Sequence, residues 1–221
     1  MVLSQKIDNA INFTKWPVAL VCVFLTIPSG IAFAKITWVT IRMFSVTWPF
    51  WAGLAGYFIL WRIFFRKRIF GSAFSTFEHE LTHAIFAWLT IHRVSGLRIS
   101  WNNGGSVSFT PPGNWLIYLG PYFFPTFAIA VIPFVLSGGG KTALIILGIL
   151  TSYHLTSTWV ETHLGQSDLQ RAGFIFSFIL IPFSHFFWYG LIMGIVSNKS
   201  NGAVFFFEIL TDSVQLMYSF L

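Results

Sequence analysis

The stretch FEHELTHAIFAW, residues 77–88, decides the fold of this chain because it places four ionisable side chains inside an apolar segment. These side chains belong to Glu78, His79, Glu80 and His83. Ionisable residues within a membrane span are costly, and where they occur they are usually functional. The stretch therefore predicts a membrane helix that carries a functional site.

The composition is typical of an integral membrane protein. Of the 221 residues, 55% are hydrophobic, 19% are aromatic and only 9% are charged, which lies outside the range of soluble domains. The net charge of +6 is dispersed apart from a basic cluster at 62–68. We interpret this cluster as a lipid headgroup anchor and expect no binding of nucleic acid. A single cysteine, Cys22, excludes a disulfide framework.

The spacing of the charged residues predicts an all-α polytopic membrane protein with about six transmembrane helices. Four stretches that lack Asp, Glu, Lys and Arg are long enough to span a bilayer: 16–34, 43–61, 142–160 and 172–198. A further span is predicted at Trp115 to Leu136, and another at Ser72 to Ile91, around the ionisable cluster. The last twenty residues place Glu208 and Asp212 among apolar neighbours and predict an amphipathic interfacial helix.

Residues 96–113, GLRISWNNGGSVSFTPPG, predict a β-hairpin after the helix with the ionisable cluster. A three-residue loop at 103–105 keeps the apolar side chains on one face. The pairs expected from this loop are Trp101 with Val107 and Ile99 with Phe109. An apolar hairpin of this kind can also pair with an extended peptide along its edge.

Residues 79–83, HELTH, fit the pattern H-E-x-x-H. Imidazoles four residues apart lie one helical turn apart on the same face, where they can share one Zn²⁺. Glu80 can then take a proton from a zinc-bound water, whose pKa the metal lowers. The alternative is a pair of histidines that are hydrogen-bonded in a polar bundle core without a metal.

A catalytic zinc usually takes three protein ligands, so a third ligand is needed in addition to His79 and His83. Glu78 is expected to point away from the metal and to bond a neighbouring span. Glu161 and Asp168 both lie at the end of the fifth span, on the same side of the membrane as the end of the HELTH helix. Either acid is therefore a candidate for the third ligand.

The remaining histidines and Asp8 have less direct assignments. His163 is a nearby competitor for the zinc, and His154, within the fifth span, can ligate the metal or orient a substrate. His92 and His185 are expected to be interfacial or core residues. Asp8 precedes the first span and is therefore not considered as a ligand.

The chain resembles the site-2 protease family, the intramembrane zinc metalloproteases of the M50 type, in compact form without a PDZ domain. The resemblance covers roughly residues 72–175 and includes HELTH, the apolar hairpin, Gly120-Pro121 on the next helix and Asp168 after a later span. It implies that His79, His83 and Asp168 bind one zinc per chain and that Glu80 is the general base. The segment HLGQSDLQ lacks the Asn-x-x-Pro sequence that usually precedes the family's Asp, and Leu169 replaces a usual Gly.

The resemblance also implies the organisation and the partners of the chain. We expect one integral membrane domain, 1–221, in which 16–71 forms two accessory spans and 72–175 forms the protease core. Residues 176–221 would supply the sixth span and the C-terminal helix. The expected partners are a transmembrane protein or peptide substrate, the lipid bilayer and an accessory membrane protein, in a bacterial inner membrane.

Two other functions remain open from the residues. In one, a membrane zinc protease takes Glu161 as its third ligand. In the other, the chain is not an enzyme but a metal transporter or a binding protein for membrane segments, with His79, His83 and His154 along the path. The positive charges weakly favour a cytoplasmic N-terminus, whereas the family usually places its active-site end towards the cytosol, which requires the opposite orientation.

Overall fold

The computed structural model describes residues 3–65, 72–100, 104–110 and 112–219. Within these ranges the chain forms ten α-helices and one two-stranded antiparallel sheet. The helices are α1 Leu3–Phe13, α2 Lys15–Arg42, α3 Phe44–Leu60, α4 Ser72–Leu89, α5 Trp115–Phe123, α6 Thr126–Leu136, α7 Gly140–Glu161, α8 Ser167–Ala172, α9 Phe174–Asn198 and α10 Gly202–Tyr218. The strands are β1 Val94–Ser100 and β2 Gly104–Phe109. The mostly helical fold with one hairpin after the HELTH helix agrees with the prediction.

Three helical runs in the described part of the chain are long and apolar enough to cross a membrane: Leu3–Arg42, Gly140–Glu161 and Phe174–Tyr218. Helices α5 and α6, bent by 60° relative to each other, make a fourth if they form one span. The predicted count of six is not confirmed. Helix α3 has only 17 residues and continues into a π-helical turn at Trp61–Phe65, while Glu78 and Glu80 lower the hydropathy of α4.

Helices α3 and α7 pack backbone to backbone through two glycines. A Cβ atom on Gly53 would lie 2.9 Å from the carbonyl carbon of Ile145, and one on Gly148 would lie 2.9 Å from the backbone nitrogen of Leu54. Small residues at such positions allow membrane helices to approach closely. The pair therefore fixes α7, which ends at the candidate site, against the N-terminal half of the bundle.

Helices α9 and α10 are joined by a 3₁₀ turn at Lys199–Asn201 and fold back on each other. Gly194 of α9 meets the backbone of Gly202 at the start of α10, and Gly190 meets the ring of Phe206 one turn later. Phe206 is fully buried, whereas Glu208 and Asp212 are exposed. The C-terminal segment is thus a helix with one packed face and one acidic face, and its location at the membrane interface stays a prediction.

The hairpin forms with a register different from the predicted one. Leu97 pairs with Val107 and Ile99 pairs with Gly105, so the predicted pair of Ile99 and Phe109 is wrong. Gly104 and Gly105 belong to β2 and not to the loop, because Gly105 packs directly on α4, where a side chain would not fit. Val107, the predicted partner of Trp101, pairs with Leu97 instead. Trp101 itself lies outside the described residues.

Candidate metal centre

His79 and His83 project from one face of α4 towards Asp168 at the start of α8. The two imidazole rings are 4.7 Å apart between centroids. Nε2 of His79 lies 3.5 Å from Oδ2 of Asp168, and Nε2 of His83 lies 3.3 Å from the same oxygen. One ligand atom from each residue falls within 4.8 Å of the other two, so this cluster could hold a metal ion.

The spacing of these atoms fits zinc. Protein ligands lie about 2.0 to 2.2 Å from a tetrahedral zinc ion, which places neighbouring ligand atoms about 3.3 to 3.6 Å apart. The two separations from the Asp168 oxygen fall within this range. Two imidazoles and one carboxylate, with a fourth position left for water, are also a usual donor set for a catalytic zinc.

His83 is oriented by α5. Its Nδ1 lies 2.7 Å from the carbonyl oxygen of Ile117, to which an Nδ1–H can donate, so that Nε2 is left free to bind a metal. Asn114 caps α5 by accepting hydrogen bonds from the backbone N–H groups of Leu116 and Ile117. The capped start of α5 therefore fixes the carbonyl group that orients one candidate ligand.

Asp168 is held in place by its neighbours in α8. Leu169 is fully buried and Ala172 is nearly so, and both pack in a cluster with residues of α5. Gly173 ends the short helix with a φ of 90°, a conformation that glycine adopts readily. Burial alone would raise the pKa of Asp168, but the hydrogen bonds with His79 and His83 hold it below the usual range. Leu169, which stands where the resembled family usually has Gly, thus packs in the core here and holds α8 against α5.

Glu80 borders a cavity of about 400 Å³ beside the cluster. The cavity is lined by residues of α4, of β2, of α5, of the end of α7, of the segment that joins α7 to α8, and of α8: Thr76, His79, Glu80, His83, Gly105, Ser106, Val107, Phe109, Tyr118, Glu161, Gln166, Ser167, Asp168 and Arg171. A Cβ atom on Gly105 would lie 3.0 Å from Oε1 of Glu80. Strand β2 thus lies directly over the carboxylate that is predicted to be the base.

The competing candidates lie outside the cluster. Glu161 lines the cavity and accepts a hydrogen bond from Gln166. His163 is exposed and its Nδ1 accepts from the backbone of Gly165. His154 is buried and its Nδ1 lies 2.8 Å from the hydroxyl of Tyr189. Among the residues that the structure describes, none of the three belongs to the group that could hold an ion.

Glu78 bonds a neighbouring helix, as expected. Its Oε1 accepts a hydrogen bond of 2.9 Å from the backbone N–H of Phe127, in the first turn of α6. The hydroxyls of Thr82 and Thr126 meet 2.5 Å apart one turn further along α4. These contacts dock the HELTH helix on the start of α6.

Sequence reasoning missed the role of Asp8, which is fully buried in α1. Its carboxylate lies 3.1 Å from Nε2 of His92 and accepts hydrogen bonds from the backbone of Gly113 and the side chain of Asn114. His92 was expected to be an interfacial or a core residue, and its side chain is buried. Helix α1 is thereby fixed to the start of α5, the helix that orients His83.

Tyr122 of α5 is a second residue that the sequence did not single out. Its ring packs edge to face against His79, with 5.1 Å between ring centroids, and its side chain is fully buried. Its backbone carbonyl lies 3.0 Å from Nε2 of His185, which ties it to α9. A lone tyrosine in an apolar segment carries no sequence signal that distinguishes this position from an ordinary core position.

A cluster that could hold a metal ion, with an adjoining carboxylate and set among apolar helices, is typical of membrane metallohydrolases. A family model described as Peptidase M50B-like matches residues 50–189, which is more than half of the chain, so the chain belongs to that family. The match is wider than the expected 72–175 and includes part of α3 and most of α9. Searches of curated proteins and of solved structures returned no match.

Membership of the family, together with the apolar helices, indicates an integral membrane protein and a metalloprotease. M50 peptidases are zinc enzymes, and the residues of the cluster fit that ion by donor type and by spacing.

Proposed function

We propose that this protein is an intramembrane zinc metalloprotease that hydrolyses peptide bonds within or next to transmembrane segments of membrane proteins. One zinc ion would be held by His79, His83 and Asp168, with Glu80 as the general base. The observation that carries the proposal is the convergence of both Nε2 atoms on one oxygen of Asp168, beside a cavity that Glu80 also borders. The family match supports the reaction class.

The bound zinc would supply a Lewis acid for the substrate carbonyl and would make water acidic enough to be deprotonated near neutral pH. Glu80 is placed to accept the proton from the attacking water and to return it to the leaving amide nitrogen. Attack on the carbonyl carbon forms the new C–O bond, and the C–N bond then breaks to give a carboxylate and an amine. The first proton of the water reaches the leaving nitrogen through Glu80, and the second leaves the new carboxyl group and protonates the released amine.

The substrate must present an extended backbone, because a helical peptide bond is shielded by its own hydrogen bonds. Strand β2 lines the cavity from Gly105 to Val107 and pairs only with β1 in the described part of the chain, which leaves it one free edge. An unwound substrate segment can add to this edge by backbone hydrogen bonds. Residues with low helix propensity near the cleaved bond would lower the cost of unwinding.

Zinc content and cleavage of a model transmembrane substrate by the purified full-length protein test the proposal. We expect one zinc per chain in the wild type and in Glu80→Gln, with cleavage abolished only in the latter. Zinc should be lost in Asp168→Ala and retained in Glu161→Ala. Stoichiometric zinc in Asp168→Ala together with its loss in Glu161→Ala would instead favour the protease with Glu161 as third ligand.

The same variants test the function without catalysis. A transporter or a binding protein does not require Glu80 as a proton acceptor. Metal transport or segment binding that is unimpaired in Glu80→Gln, with no cleavage by the wild type, would overturn the protease assignment.

A further inference from the structure

Tyr122 contacts two of the three candidate ligands. Its ring packs against the ring of His79 with an interplanar angle of 86°. Its hydroxyl faces the carboxylate of Asp168 closely enough to interact with it, but it meets no acceptor at full hydrogen-bond geometry among the residues that the structure describes. A buried hydroxyl without a partner costs free energy, so this group calls for a partner that completes the site.

The carboxylate of Asp168 is a neighbouring acceptor for the Tyr122 hydroxyl. Its Oδ2 atom already lies between the imidazoles of His79 and His83, in the position of a ligand atom. Carboxylates that bind a metal through one oxygen are commonly hydrogen-bonded through the other, and such bonds fix the orientation of the ligand. A phenolic O–H can donate this bond, and a phenylalanine cannot.

The burial of Tyr122 shows whether its hydroxyl can contact a substrate or only the metal-ligating residues. Its side chain is fully buried, and it does not line the cavity that Glu80 borders. A substrate in that cavity is therefore not within reach of the hydroxyl. The Tyr122 carbonyl accepts a hydrogen bond from His185, and this contact fixes the position of Tyr122 against α9. The buried ring therefore cannot follow a moving substrate.

We infer that Tyr122 is a positioning residue for the metal site: its hydroxyl donates a hydrogen bond to Asp168 when zinc is bound, and its ring holds His79 in its ligating orientation. The inference rests on the proposed function, since it requires that the cluster binds zinc. It assigns to the hydroxyl a contribution to metal affinity and to the ring a contribution to packing. The two contributions can be separated, because Tyr122→Phe removes the first and keeps the second.

Tyr189 offers a matched control. It is also a buried tyrosine, but its hydroxyl bonds Nδ1 of His154 at 2.8 Å and belongs to a group of residues apart from the cluster. Tyr189→Phe removes one buried hydroxyl, as Tyr122→Phe does. It breaks an existing hydrogen bond, however, and contacts no candidate ligand.

The test measures zinc affinity by competition with a chelator, in purified full-length wild type, Tyr122→Phe and Tyr189→Phe. We expect Tyr122→Phe to bind zinc about 10- to 100-fold more weakly, the usual effect of removing a bond to a metal ligand, and Tyr189→Phe to bind it as the wild type does. Cobalt in place of zinc should show a changed visible spectrum only in Tyr122→Phe.

Thermal melting gives a second readout that a purely structural role would not produce. Without metal, Tyr122→Phe should be at least as stable as the wild type, because it removes an unpaired polar group, whereas Tyr189→Phe should be less stable. The gain in melting temperature on adding zinc should shrink only in Tyr122→Phe. Equal zinc affinity in the two variants would overturn the inference, and a wild type that binds no zinc would overturn the proposed function as well.

Discussion

Replacement of Gly105 by alanine perturbs the contact between β2 and the HELTH helix without touching any candidate ligand. The added methyl would lie 2.5 Å from Cγ of Glu80 and 3.0 Å from its Oε1, and closer still to Cγ2 of Thr76. Non-bonded carbon atoms settle about 3.5 to 4.0 Å apart. Either β2 or the side chain of Glu80 must therefore move by about 1 Å.

The magnitude of the effect follows from this displacement. A misplacement of about 1 Å in a catalytic arrangement can lower the rate about 100-fold, which corresponds to about 2.7 kcal/mol of transition-state free energy. Overpacking of a single methyl destabilises a fold by about 1 to 3 kcal/mol. We expect kcat/KM for the model transmembrane substrate to fall about 100-fold in Gly105→Ala, while zinc content stays at the wild-type level.

Gly96 on β1 supplies the matched control, because a methyl there would meet only Cβ of Ser108, at 4.0 Å. Gly96→Ala should cleave at a rate close to that of the wild type. The assay compares initial rates of cleavage and zinc content for both variants in the same detergent. If Gly105→Ala cleaved as fast as Gly96→Ala, β2 would not lie over Glu80 in the way described, and the reasoning would fail.

Three further predictions concern the bundle and the metal. Gly53→Ala should lower the melting temperature by overpacking α3 against α7, whereas Gly56→Ala on the same helix, where a Cβ meets nothing within 4 Å, should not. Asp8→Ala should lower the free energy of unfolding by about 3 kcal/mol, because His92 and Asn114 lose their acceptor. A lower melting temperature and faster hydrogen exchange in α1 would show this loss, and Lys6→Ala, at an exposed position of the same helix, should leave both unchanged. Chelation should abolish cleavage and added zinc restore it; cleavage unaffected by complete removal of metal would contradict the zinc assignment.

Local patterns predicted the parts of the structure that depend on local spacing. The HELTH segment was expected at Ser72 to Ile91, and α4 runs from Ser72 to Leu89. The family resemblance is confirmed by the match over 50–189. The structure brings His79, His83 and Asp168 together, but their role as zinc ligands stays a prediction.

Features that depend on distant contacts could not be read from the sequence. Asp8 bonds residues 105 and 106 positions away, a separation at which no periodicity or motif carries information. The hairpin register failed for a similar reason, because Gly104 and Gly105 look like loop residues until α4 is packed beside them. The hydroxyl of Tyr122 acquires its neighbours only when α5 meets α8.

Helix α5 is only nine residues long, about 13 Å, yet it contacts all three candidate ligands, through the carbonyl of Ile117 and the side chain of Tyr122. Because Ile117 and Tyr122 lie on the same helix, the helical rise sets the distance between their contacts, and no packing between separate elements is needed to set it. A protein engineer who wished to transplant this metal site would thus have three short segments to graft, α4, α5 and α8. The bend between α5 and α6 marks where the graft can end.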